Sequence, residues 1–240
     1  MQHAIRWSGL AAIAVVLASG ASNAFATAPA ITITGGNSQT ATVSAAFAQP
    51  LSVEVTDSTG APVPGATVTF NSPKHGAAAY FNKQATATAK TNASGIASVS
   101  AVADLTPGTY TVTASVSVSG TPLSTHFTET NAPPKLSSSI VPTSISESAH
   151  GCATFYYASN VATYNIVGVF GPQGRRWRVK DMGLQKSGLH KWIWCGRAGT
   201  AEGGKPVPPA RYRVQVAARM TSNHSLPAIA SSNQFLTVTS

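Results

Sequence analysis

The sequence contains few charged residues, and acidic residues are the scarcest of them. Of 240 residues only 10% are charged, seven of these are Asp or Glu, and 43% are hydrophobic. A disordered polyelectrolyte needs dense charge and little apolar content, so this composition excludes one. The seven acids are mostly isolated in different segments, so no carboxylate pair for glycoside hydrolysis can be inferred from their spacing. The length suits one or two domains, each with its own core, and we expect two small ones.

Motifs for catalysis and metal binding are missing as well. The sequence has no Gly-x-Ser-x-Gly or His-Glu-x-x-His motif. One stretch, Gly199–Lys205, approaches a phosphate-binding loop, but Pro206 follows it where a hydroxyl is needed for magnesium. Neither cysteine belongs to a Cys-x-x-Cys pair, and the histidines show no zinc spacing. We therefore expect a protein that is not an enzyme and that uses no metal and no cofactor.

No apolar run is long enough to span a bilayer. The run Leu10–Leu17 follows a mildly positive head and precedes small-x-small cleavage sites that end at Ala24 and Ala26. We interpret residues 1–26 as a secretory signal peptide. The alternative, an uncleaved anchor, lacks the ~20 apolar residues that spanning requires. We expect the remaining chain to be soluble and to be secreted, periplasmic or associated with the cell surface.

Export favours a disulfide between the two cysteines, because an even count in an oxidising compartment indicates pairing. Cys152 and Cys195 are the two available partners, 43 positions apart. The chain-entropy model gives such a bridge about 4 kcal/mol of stabilisation. Metal ligation is the competing interpretation, and the spacing of the cysteines and histidines does not favour it.

Charge is distributed unevenly along the chain. Residues 27–134 have three basic side chains against four acidic ones, whereas residues 135–240 have twelve against three, a net charge of +9. Both cysteines and all tryptophans beyond the signal also lie in the second part. The composition changes near Asn131–Lys135, where adjacent prolines give a stiff connector. We predict domains over residues 27–131 and 136–240, joined by a Pro-rich linker over residues 132–135.

The first domain has the period of half-buried strands. Leu51, Val53 and Val55 alternate with polar residues, and the same pattern recurs around Phe70 and from Tyr110 onward. Turn signals separate these stretches: Asp57–Gly60, Pro62–Gly65, Asn92–Gly95 and Pro107–Gly108. Short strands with turns at this spacing predict an all-β sandwich or barrel of about 100 residues.

Four motifs of this domain occur in a specific order: Leu51–Phe70, Gly76–Phe81, Thr91–Ala97 and Pro107–Ala114. Together they resemble the bacterial immunoglobulin-like repeats of the invasin and intimin group, over about residues 30–131. The resemblance implies a rigid, non-catalytic module that serves as a stalk or spacer for a binding tip, as in cell adhesion. It does not imply the membrane anchoring of those adhesins.

The second domain also has a strand period, with larger side chains. Its apolar positions are Phe155, Tyr157, Tyr164, Ile166, Val167, Val169, Trp177, Val179, Trp192, Trp194, Tyr212, Val214, Val216, Phe235 and Val238. Val169–Gly174, Gly188–Arg197 and Lys205–Val214 resemble the immunoglobulin-like domain of the flagellar hook-assembly scaffold and related secreted modules. Cys195 and Ala210 depart from that pattern, so flagellar function is not transferred. The predicted fold class is all-β, with two tandem immunoglobulin-like β-sandwiches after a signal peptide.

Strand parity predicts a basic face on the second domain. Basic residues alternate with apolar ones in two predicted strands. If the apolar residues point inward, the basic residues share one outer face: Arg176, Arg178, Lys180, Arg211 and Arg213. Such a face attracts polyanions, and for an exported protein these are lipopolysaccharide, cell-wall or capsular polymers, and DNA as a non-specific polyanion. The alternative is a surface whose charges keep the protein soluble and its sheets unpaired.

Parity also gives two orientations for Trp192 and Trp194. We expect them in the core, which places Cys152 and Cys195 on the opposite face and the bridge near the surface. In the other orientation the two indoles form an exposed platform that stacks on sugar rings.

Three functions remain open from the sequence. The first is a non-catalytic exported protein that acts in cell-surface or envelope interaction, with a polymer, glycan or protein partner of unknown identity. The second is a binder of polyanions or glycans through the basic second domain. The third is an enzyme whose site carries no recognised motif.

Overall fold

The computed structural model describes residues 27–148, 150–198, 204–223 and 227–240. The expected signal peptide, residues 1–26, lies outside the described residues. Regular structure in the described part consists of strands and one 3₁₀ turn, Pro172–Gly174. Its first ten strands are β1 (Ala30–Gly35), β2 (Thr40–Thr42), β3 (Leu51–Thr56), β4 (Thr67–Asn71), β5 (Ala79–Tyr80), β6 (Thr86–Lys90), β7 (Ile96–Val99), β8 (Val102–Ala103), β9 (Gly108–Val118) and β10 (Thr121–Ala132). The remaining eight are β11 (Leu136–Val141), β12 (Ser144–Ser146), β13 (Ala153–Ser159), β14 (Thr163–Phe170), β15 (Arg176–Gln185), β16 (Gly188–Trp194), β17 (Ala210–Arg219) and β18 (Ala230–Thr239).

Strands β1–β10 form a sandwich, which we call the first domain. A three-stranded sheet with the order β1-β3-β7 faces a five-stranded sheet with the order β2-β10-β9-β4-β6, and β5 and β8 pair separately. The alternation predicted for β3 and β9 is present, because Leu51, Val53 and Val55 are fully buried, as are Val112 and Ala114. These residues join one apolar core.

Side chains close the predicted turns of the first domain. Asp57 Oδ1 accepts hydrogen bonds from the backbone N–H groups of Thr59 and Ala61, at 2.8 and 3.1 Å. Asn92 Oδ1 does the same for Ser94 and Ile96, at 2.9 and 3.0 Å. The hydrogen bond from the Thr59 hydroxyl, together with those from the backbone, lowers the pKa of Asp57. Asp and Asn favour such turns because their short side chains replace a backbone acceptor.

Strands β11–β18 form a second sandwich, the second domain, with the same strand order. Its three-stranded sheet has the order β11-β13-β16, and its five-stranded sheet has the order β12-β18-β17-β14-β15. In both domains a short parallel pairing, β2 with β10 and β12 with β18, starts the larger sheet. The predicted fold class, two tandem immunoglobulin-like β-sandwiches, is confirmed.

Aromatic side chains fill the core of the second domain. The rings of Trp194 and Trp177 both pack edge-on against Tyr212, with centroids 5.6 and 6.2 Å away. The polar atoms of two of these rings have backbone partners, since Tyr212 donates to Pro208 O at 2.6 Å and Trp194 donates to Arg197 O at 2.8 Å. Such pairing lets large amphipathic rings be buried without losing hydrogen bonds.

Several apolar residues of the second domain face outward, contrary to the sequence interpretation. In β14 the inward residues are Val167 and Val169, both fully buried, so Ile166 lies on the other side of the strand. In β18 the buried residue is Leu236, whereas Phe235 is 48% exposed. Period-two alternation forces this choice, because neighbouring residues in a strand face opposite sides.

The predicted disulfide is present. Cys152 and Cys195 are bonded, with an S–S distance of 2.00 Å. They flank the paired residues Ala153 and Trp194, so the bridge joins neighbouring strands β13 and β16 of one sheet. Both cysteines are exposed, which agrees with the parity that placed the bridge at strand ends near the surface.

The two sandwiches share no strand pairing in the described part of the chain, and their apolar cores are separate. Strand β10 ends at Ala132 and β11 begins at Leu136, so the prolines predicted to connect the domains lie between these strands. Searched over the described residues, the structure has no helix with the length and apolar character needed to cross a membrane.

Candidate binding face of the second domain

The outward side of the five-stranded sheet of the second domain carries basic and aromatic side chains, and we call it the outer face. Strand β17 alternates buried Tyr212, Val214 and Val216 with outward residues. Those outward residues are Arg211, Arg213, Gln215, Ala217 and Arg219. The strand therefore supplies a row of basic groups because its apolar positions recur with period two.

Two arginines of this row stack on phenylalanine rings. Arg213 lies opposite Phe170 of β14 and Phe235 of β18, and its guanidinium is 4.8 Å from the centroid of Phe170. The guanidinium of Arg211 is 4.3 Å from the centroid of Phe235. Cation–π contacts of this kind contribute about 0.5–1 kcal/mol at exposed sites. They also hold the planar forks in place, so their in-plane N–H donors are pre-organised for an anion.

Strand β15 places one of its three predicted basic residues on the outer face. Arg176 pairs with outward-facing Phe170, but the next paired residue, Arg178, lies opposite inward-facing Val169, so Trp177 is an extra residue in the ladder. Such a β-bulge puts two residues opposite one and reverses the facing of the residues after it. Here the reversal extends from Arg178 to Asp181, because a second irregularity leaves Met182 without a paired residue and restores the original alternation. The prediction that Arg178 and Lys180 share the outer face is therefore wrong.

The sandwich side of β15 receives those two cations. Lys180 lies opposite inward-facing Val167. The guanidinium of Arg178 is 5.8 Å from the ring centroid of Trp192 on the opposing sheet. The residue between Arg178 and Lys180, Val179, which the sequence placed in the core, lies instead beside outward-facing Gly168. Because of the bulge, the outer face receives the apolar side chain of Val179 where the regular alternation would have placed Arg178.

Packing of Trp177 explains why the bulge forms at this point. The indole reaches the core and meets Tyr212 edge-on, while the guanidinium of Arg175 covers it at 4.5 Å from the ring centroid. A glycine precedes the turn, and a Cβ at Gly171 would lie 2.3 Å from Trp177 Nε1. The indole therefore occupies space that only a glycine at this position leaves open.

The alternative in which Trp192 and Trp194 form a glycan-stacking platform is wrong. Trp192 is 8% exposed and Trp194 is 2% exposed, and both belong to the apolar core. Neither ring presents a face to solvent on which a sugar could stack.

Three further contributors to the outer face were missed in the sequence: Phe170, Phe235 and Arg219. Arg219 continues the period of Arg211 and Arg213 along β17, so the alternation alone could have identified it. The two phenylalanines carried no such signal, because an aromatic residue in a sandwich strand is more often part of the core.

A depression of about 360 Å³ lies at the end of the second domain beside the disulfide. Its lining includes Glu147, His150, Cys195 and Arg197. Charges of both signs line it.

Buried polar groups of the first domain form a separate cluster. Glu129 is fully buried. Its Oε2 accepts from the Gln39 N–H at 3.1 Å, and its Oε1 has no hydrogen-bond partner among the described residues. Burial raises the pKa of Glu129 to about 7, against the opposing effect of the Gln39 hydrogen bond.

Neighbours of Glu129 complete this cluster. Tyr110, opposite it in the ladder, donates to Asn131 Oδ1 at 3.1 Å, and Asn131 Nδ2 donates to Asp104 Oδ1 at 2.7 Å. Burial, with a contribution from the Glu129 and Asp104 charges, raises the pKa of Tyr110. The cluster ties strand ends together inside the sandwich.

Comparison with known proteins identifies the first domain. Residues 47–128 match the family model of the bacterial Ig-like domain (group 1). The chain therefore contains a bacterial immunoglobulin-like repeat, as its four ordered motifs predicted. Such a domain indicates a surface or extracellular module. Together with the disulfide, it is consistent with an extracellular or envelope location.

Other comparisons add little. No curated protein matches the chain. Dimeric latent PorU from Porphyromonas gingivalis is 13% identical, covering 88% of this chain and 20% of that chain, with a TM-score of 0.35. The native conformation of E. coli alpha-2-macroglobulin is 16% identical, and the match covers 90% of this chain and 16% of that chain, also with a TM-score of 0.35. The chain spans about a fifth or less of each of these structures, and neither match carries an inference about this protein.

Proposed function

We propose that the protein is a non-catalytic, exported protein of the cell surface or envelope, in which the first domain is a spacer and the second domain makes the contact. The expected signal peptide, the bacterial immunoglobulin-like repeat and the disulfide support export. The outer face of the second domain carries the proposal of a contact surface. It combines Arg211 and Arg213, fixed on aromatic rings, with exposed apolar side chains such as Phe235.

Aromatic and arginine side chains are the residue types enriched in the centres of protein interfaces. The corresponding face of β9 and β10 in the first domain has no arginine, phenylalanine, tyrosine or tryptophan. There, Thr109 and Thr130 pair through their hydroxyls at 2.9 Å, and Thr113 meets His126 at 3.2 Å. This difference supports a division of labour between a passive first domain and a binding second domain.

The test is co-sedimentation of the chain lacking residues 1–26 with intact cells of the bacterium that produces it. We expect saturable binding. The triple variant Arg176→Glu, Arg211→Glu and Arg213→Glu should lose about tenfold or more in affinity, because central arginines are frequent hot spots. Melting followed by circular dichroism verifies that the variant is folded.

A matched control separates the outer face from net charge. The triple variant Lys180→Glu, Lys186→Glu and Lys191→Glu changes the charge equally at exposed positions, and Lys191 lies on the other sheet, opposite Tyr156. We expect it to bind nearly as well as the unaltered chain. Equal loss in both triple variants would contradict a specific role of the outer face.

A second candidate function, binding of polyanions, is favoured by the arginine row of β17 and by Arg176. Guanidinium forks match phosphate and carboxylate groups. On a heparin or phosphocellulose column we expect retention that falls steeply with salt, because each neutralised anion releases counterions. Loss of retention in the arginine variant with retention in the lysine control would support this function, whereas equal retention of all three proteins would exclude it.

A further inference from the structure

The outer face contains a shallow depression of about 370 Å³. It is lined by Ile166, Gly168, Phe170, Arg176, Val179, Gln215, Ala217 and Arg219. The volume lies within the range of about 300–1,000 Å³ that is typical of small-molecule sites.

A missing side chain helps to create this depression. Gly168 occupies an outward position of β14, where a Cβ would lie 2.8 Å from Phe170 Cε2. The Phe170 ring therefore leans over the glycine and forms one wall. The bulge in β15 is equally necessary, because it turns Val179 outward beside Gly168. Ile166 and Ala217, which pair across β14 and β17, complete an apolar floor.

The rim of the depression is cationic. Arg176 and Arg219 belong to its lining, and Arg176 is exposed at the edge strand. Arg213 lies next to the depression, with its guanidinium 4.8 Å from the ring centroid of Phe170. Asp181 is the carboxylate that the ladder places nearest, opposite Ile166. It already accepts the Gly183 N–H at 2.8 Å. Arg176 and Arg213 together outweigh its charge, so the rim favours an anion.

We propose that this apolar depression, with Arg176 in its lining and Arg213 stacked on its Phe170 wall, binds a monomeric anionic amphiphile: one carboxylate or phosphate group joined to an apolar chain. The site deepens the binding role proposed for the outer face and rests on it. A hydrophilic polyanion makes no use of the floor formed by Ile166, Val179 and Ala217. A neutral apolar ligand leaves the guanidinium groups desolvated without a partner, which is costly. The depression is concave, so it suits a single chain and not a bilayer surface.

The experiment is isothermal titration of the chain lacking residues 1–26 with dodecyl phosphate below its critical micelle concentration. Inorganic phosphate alone tests the head group, and monomeric dodecyl maltoside tests the chain. We expect saturable one-to-one binding of dodecyl phosphate and at least about tenfold weaker binding of the other two, since a buried apolar contact and a charge pair each change affinity by that order.

Two substitutions locate the site. Ala217→Leu fills the floor and should weaken dodecyl phosphate binding at least about tenfold while leaving heparin retention unchanged. Ala158→Leu is the matched control, because Ala158 is a half-buried, outward residue on the three-stranded sheet. It should leave the affinity for dodecyl phosphate unchanged.

Failure of this site and failure of the proposed function give different results. Absence of dodecyl phosphate binding, or equal binding by the Ala217→Leu variant, would overturn the amphiphile site. If cell binding still depends on the three arginines in that case, the proposed function stands. If dodecyl phosphate binds and Ala217→Leu abolishes the binding while no variant affects cell binding, the site is supported and the proposed contact role of the outer face is not.

Discussion

The two domains place their strands in the same order and differ in what those strands present to solvent. In each domain a three-stranded sheet covers a five-stranded one, and corresponding strands pair in the same sequence. Yet β9 and β10 of the first domain present hydroxyl groups outward, whereas β17 and β18 of the second present arginine and phenylalanine. The fold needs only the inward half of each strand, so the outward half is available for function.

The domains also differ in the hydrogen-bond partner of a buried tyrosine that they share. Each domain has a tyrosine at the third position of the corresponding strand, Tyr110 in β9 and Tyr212 in β17. The Tyr110 hydroxyl donates to the buried side chain of Asn131, and the Tyr212 hydroxyl donates to the backbone of exposed Pro208. The two corresponding tyrosines therefore differ in their surroundings, a buried polar cluster in the first domain and a backbone carbonyl in the second, and the disulfide lies in the second domain.

Removal of the disulfide should have the largest effect and should affect one domain only. The double variant Cys152→Ser and Cys195→Ser is expected to lower the free energy of unfolding of the second domain by about 4 kcal/mol. Tryptophan fluorescence during urea denaturation measures this domain alone, because all tryptophans after residue 26 belong to it. An equal shift of the first domain, followed by far-UV circular dichroism, would show that the domains unfold together.

Glu129 should make the first domain alone sensitive to pH. Its pKa rises from about 4.5 in the unfolded chain to about 7 in the fold, so the folded state holds the proton more tightly. Stability is then highest below pH 4.5, falls as the pH rises between these values, and is constant above pH 7.

The variant Glu129→Gln should abolish this pH dependence and make the first domain about 1–3 kcal/mol more stable at pH 8 than the unaltered chain, because no buried charge remains. Calorimetry at pH 5 and pH 8 measures the change, with the tryptophan transition as internal reference. Glu54→Gln, on an outward position of β3, is the control. If the Glu129→Gln variant keeps the full pH dependence of stability, another titrating group causes that dependence and the prediction is wrong.

Substitution of the two corresponding tyrosines, Tyr110 and Tyr212, should have the smallest effects and compares the two domains directly. Tyr212→Phe should cost the second domain about 1 kcal/mol or less, because its acceptor belongs to the exposed residue Pro208, which water can reach. Tyr110→Phe should cost the first domain more, about 1–3 kcal/mol, because Asn131 Oδ1 is left buried without that donor. Equal costs would mean that the buried cluster rearranges to satisfy Asn131.

Much of the fold follows from alternation and turn chemistry. In the first domain the buried residues of β3 and β9 recur with an uninterrupted period of two, and Asp57 and Asn92 mark turns that their own side chains close. These signals are local, so the sequence shows them directly. The cysteine pairing was also predictable, because the sequence offers no other partner.

The candidate site was predictable in part. Arg211 and Arg213 lie on a regular strand, and their outward position was inferred correctly from the buried residues beside them. Phe235 was interpreted as an inward apolar position and Phe170 was not placed. A short apolar run such as Ile166–Phe170 fits two opposite phases, and only the facing sheet selects one.

By itself the sequence determined two strand-rich halves, the concentration of positive charge in the second and the bond between Cys152 and Cys195. The tertiary structure alone decided which side of β15 its cations occupy. Insertion of Trp177 against Tyr212 adds one residue to that ladder. It turns Arg178 and Lys180 to the sandwich side of β15, where Lys180 remains exposed, and it turns Val179 to the outer face. A bulge of this kind depends on what the indole meets across the sandwich, and that contact joins residues 35 positions apart, beyond the reach of any local period.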